Sequence, residues 1–404
     1  MRHERQVELL RRLHGVDAPR PGPLGPASVH NPVRAYTSPE RFAAEVAVLF
    51  EGQPVLVALS CELRASGSYL TLTVGGTPLA VVRQPDGGVR GFVNVCRHRA
   101  STLLTEAHGD GLRSIRCPYH AWTYGLDGCL LAFPGAEPGF DDVEKATHGL
   151  IEVPVAERYG LVFAVADPVA GPLDVDDALR GAQTELADFD IGAYEHVDTR
   201  QRQWAVNWKL VMDTFTEPYH IPWLHKDSIA PHYLFDRWIH DSYGPHQRFI
   251  GVRRSVLAQF DQPSEDEWEL LPHATLQYLL VPNAVLTHQI DHLELWRFTP
   301  LAPDRTLVRT SVYSPPGTTR PPSYYVKNLD VLLGVTDTED FPLQEQAQRN
   351  LASGALAEVG YGKMEPALVA YHQAIDARLA GAVRGEDTET GHRVPSPLTA
   401  LARR

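Results

Sequence analysis

The sequence predicts an α+β protein of two domains: an N-terminal antiparallel β domain, then a larger α+β domain built on an antiparallel sheet. Three observations carry this reading. The 404 residues exceed the roughly 100–200 of one domain and suffice for two buried cores. From about 54 to 165, short β-rich runs (VLVALS, YLTLTV, PLAVVR, GVRGFVNV, LRSIRC, HAWTYGL, CLLAF, GLVFAVA) alternate with Gly, Pro and Asp turns. From about 173, helical stretches mix with strand-like runs, the texture of an α+β domain.

In chain order, Val7, Leu9, Leu10 and Leu13 form an apolar stripe in a polar, basic N-terminus. Residues 18–33, with Pro19, Pro21, Pro23, Pro26 and Pro32, form an extended arm, so 1–39 is expected as a helix and arm. PERFAAEVAVLF (39–50) has helical spacing and opens the β domain, expected over 40–165, where Asp86-Gly87 and Asp127-Gly128 mark hairpins. The second domain is expected over 166–385. It should hold helices near 174–188 and 207–220, four strands over 274–314 (ATLQYLLV, AVLTHQI, LELWRFTPL, TLVRTSVY), and helices over 324–351 and 364–384. Residues 386–404 read as a mobile tail.

Composition excludes several classes. With 37 basic and 50 acidic residues, net charge -13, the chain lacks the basic surface that nucleic acid requires. Four cysteines in this length do not make a disulfide scaffold. A cytoplasmic location is expected, with any functional cysteine a metal ligand. The N-terminus has no apolar signal-peptide core, and no 18-residue apolar run exists to span a membrane.

NVCRHRASTLLTEAHGDGLRSIRCPYHAW contains Cys96-x-His98, eighteen residues, then Cys117-x-x-His120. Two thiolates suit one iron of a [2Fe–2S] cluster and two imidazoles the other, which raises the potential relative to an all-cysteine cluster. Pro118 and nearby glycines suit tight turns around the sulfurs. A Cys₂His₂ zinc site is the plainer alternative, but zinc fingers usually pair cysteines in one half and histidines in the other. Cys61 and Cys129 lack such partners and read as small buried hydrophobes; His108 reads as an exposed loop residue.

NWKLVMDTFTEPYHIPWLH gives His220-x₄-His225, preceded by Asp213 and Glu217. Two imidazoles and a carboxylate make a facial triad that leaves positions on Fe(II) for O₂ and substrate. His232, His240 and His246 follow, so spacing alone does not choose the ligands. Asp330, Asp337, Glu339 and Asp340 are the candidates for the carboxylate. Asp340 precedes Phe341-Pro342 at what reads as a helix start, where a capping role is the alternative.

Together these segments resemble the α subunits of Rieske non-haem iron oxygenases, also called aromatic-ring-hydroxylating oxygenases, from about residue 40 to 375. NVCRHR and CPYHAWTYGLDG look like the cluster loops, and EDFPLQEQAQRNL looks like the distal aspartate helix, with Gln348 at the usual downstream glutamine. The resemblance implies a Rieske domain and a helix-grip-like catalytic domain. Cys96, His98, Cys117 and His120 would bind [2Fe–2S], and His220, His225 and Asp340 would bind Fe(II). Glu217 stands where the family has a bridging carboxylate, usually Asp, linking a Rieske histidine of one subunit to an iron-ligating histidine of the next. Asp213 stands where Asn is common, either as a group supporting the iron site or as a structural acid. Glu217 is one methylene longer than usual. The loop between the cluster pairs is a residue or so longer, which Glu106–Ser114 should tolerate.

The activity so implied is that of an oxygenase component using O₂ and electrons from NAD(P)H to hydroxylate an aromatic or other small organic substrate, as in aromatic hydrocarbon catabolism. N- or O-demethylation shares every motif. No Gly-x-Gly-x-x-Gly follows a strand, so a separate reductase or ferredoxin is expected, and the family's habit implies a homotrimer. A Rieske electron carrier with a ligand-binding domain would lack the second iron, and a zinc hydrolase would lack colour. Met212, Phe215, Tyr278 and Trp296 are candidate pocket positions by placement, although such aromatics are often core.

Overall fold

The structure, a computed structural model, describes residues 1–15, 23–135 and 139–386. Pro19, Pro21 and the tail from 387 lie outside the described residues. The chain divides into a larger unit of 1–46 and 179–380 and a smaller one containing 47–178. The expected boundaries at 40 and 166 thus fall at 47 and 179, and the N-terminal segment belongs with the larger unit. Burial explains this: α1 (His3–His14) buries Val7, Leu9, Leu10 and Leu13, and removing such side chains from water is the main force holding a segment down. The arm is also tied, because β1 (Val29–Pro32) pairs antiparallel with a late strand at 358–361. Two short helices follow, α2 (Arg34–Thr37) and α3 (Pro39–Glu45); the Ser38 hydroxyl accepts the Arg41 N–H to cap α3.

In the smaller unit the β-rich runs become β2 (Val55–Leu59), β3 (Tyr69–Val74), β4 (Thr77–Arg83), β5 (Val89–Val93), β6 (His108–Gly109), β7 (Ile115–Arg116), β8 (Thr123–Tyr124), β9 (Leu130–Ala132), β10 (Glu152–Val153), β11 (Val155–Arg158) and β12 (Leu161–Ala164). They form sheets of order β10-β5-β4-β3-β6, β11-β12-β2 and β7-β8-β9. Both hairpin signals hold: Asp86-Gly87 turns β4 into β5 and Asp127-Gly128 turns β8 into β9, with φ of 88° and 83° at the glycines. Cys129 is exposed, not buried as expected; all four cysteines are free.

The larger unit holds a seven-stranded antiparallel sheet of β13 (Glu195–Trp204), β14 (Tyr233–Tyr243), β15 (His246–Arg253), β16 (Ala274–Leu280), β17 (Ala284–Gln289), β18 (His292–Ala302) and β19 (Arg305–Ser314), in the order β13-β19-β18-β17-β16-β15-β14. The four expected strands are β16–β19. β13–β15 escaped the sequence reading because their polar residues break the alternation; β13 is largely solvent-facing. His240 and His246 serve this sheet: His240 pairs with Gln247, and His246 accepts the Val281 N–H.

The helix expected over 207–220 stops early, as α4 (Trp208–Asp213). Asn207 caps its start by accepting the Lys209 N–H, and Pro218 cannot continue a helix. A short α5 (Ile221–Leu224) resumes beyond the turn. The stretch 174–188 likewise breaks into the short helices Val175–Leu179 and Gln183–Leu186. Then come α6 (Pro322–Val335), a π-helical turn at Thr336–Asp340, α7 (Phe341–Ala352), β20 (Glu358–Tyr361) and α8 (Pro366–Glu386). Asp340 is therefore not at a helix start; it lies inside a continuous helical run, with helical φ and ψ and no capping bond. Among the described residues no helix is long and apolar enough to cross a membrane.

Candidate metal centres

In the smaller unit the two Cys/His loops are built alike. The Cys96 N–H donates to Ser101 O at 2.8 Å and the Ala100 N–H returns to Cys96 O at 3.0 Å; the Cys117 N–H donates to Trp122 O at 2.8 Å and the Ala121 N–H returns to Cys117 O at 3.1 Å. Ala100 and Ala121 both sit at positive φ, 55° and 57°. The expected glycines are not used: two alanines take the left-handed turn, a strain that persists where surroundings enforce it. Both cysteines are buried. The Cys96 sulfur lies 3.4 Å from the Tyr124 hydroxyl. Burial pushes the Cys117 thiol up, but hydrogen bonds from the backbone of His120 and Tyr119 outweigh it and hold the pKa below the usual value.

The His98 and His120 rings lie 4.6 Å apart, and His98 stacks on Trp122 at 5.0 Å. Nδ1 of both histidines is buried with no hydrogen-bond partner. Buried polar nitrogens are nearly always paired, so two orphaned imidazole nitrogens together with two free, buried cysteines fit a [2Fe–2S] cluster held by these four side chains. Cys96→Ala or His120→Ala is expected to bleach the visible absorption and remove the cluster iron. Zinc in that position, measured by metal analysis of the parent protein, would refute the assignment.

In the larger unit, α5 and the π-helical turn bring His220, His225 and Asp340 together, with donor atoms all within 4.8 Å of one another, a set able to hold a metal ion. Asp340 Oδ1 is 3.1 Å from His225 Nε2 and 3.5 Å from His220 Nε2. The other acids go elsewhere. Asp330 is exposed, Asp337 pairs with Arg202 at 2.7 Å, and Glu339 accepts from His225 Nδ1 at 2.7 Å. Burial pulls the His225 pKa down, but hydrogen bonds and charge from Asp340 and Glu339 outweigh it and raise the value. These acids favour a cation there, which fits a metal on Nε2 with Glu339 orienting the ring from Nδ1.

Glu217 grips His220 twice: Oε1 is 2.5 Å from the ring Nδ1, and Oε2 accepts the His220 backbone N–H at 3.0 Å. Asp213 is not among the three clustered donors. It accepts from the Tyr36 hydroxyl at 2.6 Å and lies 2.9 Å from His372 Nε2, in a buried network with Tyr361 and Asn31. Of the two readings offered for Asp213, these contacts are those of a structural acid that fastens α4 against α2 and α8. Gln348 joins the same scaffold: its side-chain oxygen accepts the Asn207 N–H at 2.9 Å, tying α7 to the start of α4. The sequence offered Glu339 only as a candidate ligand; its contact with His225 Nδ1 carries no local signal.

A cavity of about 240 Å³ opens beside the triad. Its walls include Phe215, Tyr233, Phe235, Trp238, Phe249 and Trp296, and its floor includes Gln277, Thr287 and Glu294 of the sheet. Of the four positions proposed by placement, Phe215 and Trp296 line it. Met212 and Tyr278 are buried elsewhere, Tyr278 donating to Glu185 at 3.0 Å.

Comparison with known proteins agrees in both halves. Residues 53–154 match the family described as Rieske [2Fe-2S] domain, and 189–381 match Ring hydroxylating alpha subunit (catalytic domain). The chain is 29% identical over 367 residues to the glycine betaine monooxygenase oxygenase subunit of Chromohalobacter salexigens, covering 81% of this chain and 80% of that one. It is 33% identical over 223 residues to the carnitine monooxygenase oxygenase subunit of Escherichia coli K12, covering 53% and 56%. Among solved structures, a quaternary ammonium Rieske monooxygenase in complex with L-carnitine superposes with a TM-score of 0.73 at 24% identity, covering 87% of this chain and 95% of that one. A naphthalene 1,2-dioxygenase with bound indole gives 0.70 at 19%, covering 87% and 92%.

Proposed function

We propose that this chain, which belongs to the α subunits of the Rieske non-haem iron oxygenases, acts on a quaternary ammonium compound. It is an oxidoreductase, the oxygenase component of a multicomponent system that uses O₂ and electrons from a separate reductase to hydroxylate a small organic substrate, and its cofactors are a [2Fe–2S] cluster and a mononuclear iron. The carrying observation is the cavity: aromatic side chains line it and, among the described residues, no lysine or arginine does. Tyr, Trp and Phe faces attract an onium head that has little water to lose. The relative named for glycine betaine, matched over 81% of this chain and 80% of its own, favours the same class over an aromatic hydrocarbon.

In this reading one oxygen atom enters a C–H bond of a carbon attached to the quaternary nitrogen. The other leaves as water, with two electrons and two protons supplied from outside. The carbinol then breaks at C–N to give an amine and a carbonyl compound. When bound, the irons supply electron storage and an O₂-binding position. The chain's own residues do the rest: Glu217 and Glu339 fix the imidazole orientations, and Phe215 and Trp296 help seat the substrate beside the triad. We read the working assembly as a homotrimer in the cytoplasm, as the family resemblance implies; Glu217 holds His220 from within the chain, and a bridging role would bring a cluster histidine from a second copy.

Oxygen uptake with a surrogate reductase tests the substrate class. A quaternary ammonium compound is expected to give uptake matched by amine and carbonyl product. Matched turnover of naphthalene, with none for any ammonium compound, would overturn the reading.

A further inference from the structure

We propose that Glu294 and Thr287 form a counter-charge subsite that selects an ammonium compound of net positive charge over a zwitterion carrying its own carboxylate. The proposal rests on the quaternary ammonium reading above and narrows it. Glu294 on β18 stands directly opposite Thr287 on β17, which stands opposite Gln277 on β16. Residues opposite one another in antiparallel strands share a face, and all three line the cavity. Glu294 and Thr287 are each 2% exposed. The Thr287 hydroxyl is buried with no hydrogen-bond partner, an arrangement that a ligand's polar group would complete.

The charge around Glu294 decides the sign of the preferred ligand. Among the described residues no lysine or arginine pairs with it. Its Oε1 lies 3.2 Å from His292 Nε2, His292 Nδ1 lies 2.9 Å from Asp291, and Arg320 lies 3.2 Å from Asp291 on the far side. Even with His292 protonated, it and Arg320 only balance the two carboxylates. No positive charge remains for a substrate carboxylate. The other two cavity acids, Glu217 and Asp340, are taken up by His220 and His225. With His292 neutral the group carries one net negative charge and with it protonated none, so in this nearly dry site a cation brought by the ligand is accepted beside Glu294 while a substrate carboxylate meets no counter-charge.

Choline and glycine betaine are suitable probes, since they share the trimethylammonium head and differ in a hydroxymethyl against a carboxylate. Calorimetric binding to the enzyme with both metal centres filled, without reductant, is expected to give choline a dissociation constant lower by roughly tenfold or more, a clear margin on the affinity scale. Glu294→Gln keeps the side-chain size and removes the charge, so the discrimination should collapse toward parity, mainly by weaker choline binding. Equal binding of the two probes by the parent, or unchanged discrimination in Glu294→Gln, would overturn the subsite and leave the ammonium reading standing. Binding of neither probe, with naphthalene bound instead, would overturn both.

Discussion

Asp340→Ala is expected to empty the mononuclear site and abolish turnover, while the visible spectrum of the cluster stays at parental intensity. Asp340 is 4% exposed and supplies the only carboxylate of the triad. Two imidazoles alone, one of them already bonded to Glu339 and the other to Glu217, leave a divalent iron without its charge-neutralising ligand. The two constellations lie in separate compact units, so the losses should be separable. Asp337→Ala is the control. Its ion pair with Arg202 is partly exposed, and such pairs contribute only about 0–1 kcal/mol, so iron and activity should survive. Iron content and oxygen uptake on both variants decide the matter. Full iron and activity in Asp340→Ala would show that the ligand lies elsewhere.

Glu217→Gln should retain both metal centres yet lower hydroxylation on the order of 100-fold, the upper range for losing a group that orients a ligand. The carboxylate holds His220 by ring and backbone. Each of its oxygens can accept more than one hydrogen bond, so it can still receive an imidazole N–H from a second copy. The amide keeps the length but surrenders the charge and one acceptor. Single-turnover measurements should locate the defect as slow reoxidation of a pre-reduced cluster. Parental reoxidation rates and product yield in this variant would establish a different electron route.

Much of this was legible because some signals are local. Cys96-x-His98 and Cys117-x-x-His120 set out two mixed Cys/His pairs within short stretches, and the β16–β19 runs are apolar enough to read as strands. What escaped is non-local. That the turn geometry falls on Ala100 and Ala121 reflects enforcement by surrounding structure, which no propensity encodes. Asp213 and Glu217 look alike in sequence, four residues apart; only the early end of α4 sends one toward Tyr36 and the other toward His220. β13 and β14 carry too many polar residues to read as strands until their partners are known. Glu339 drew attention as a possible ligand, and its use on the far nitrogen of His225 depends on a helix whose path was misjudged.

That path has a consequence of its own. Each residue of an α-helix advances about 100° around the axis, so neighbours cannot normally share a face. A π-helical turn carries one residue too many and resets the phase, a device that recurs at functional sites. Here it lets consecutive side chains both point inward: Asp340 reaches the histidines, and Phe341 packs 5.0 Å from Trp204 and 6.5 Å from Trp296. The carboxylate of the triad and the aromatic wall are thus geared together. A shift of the helix that moved one would move the other, so the shape of the chamber and the spacing of the triad are not independently adjustable.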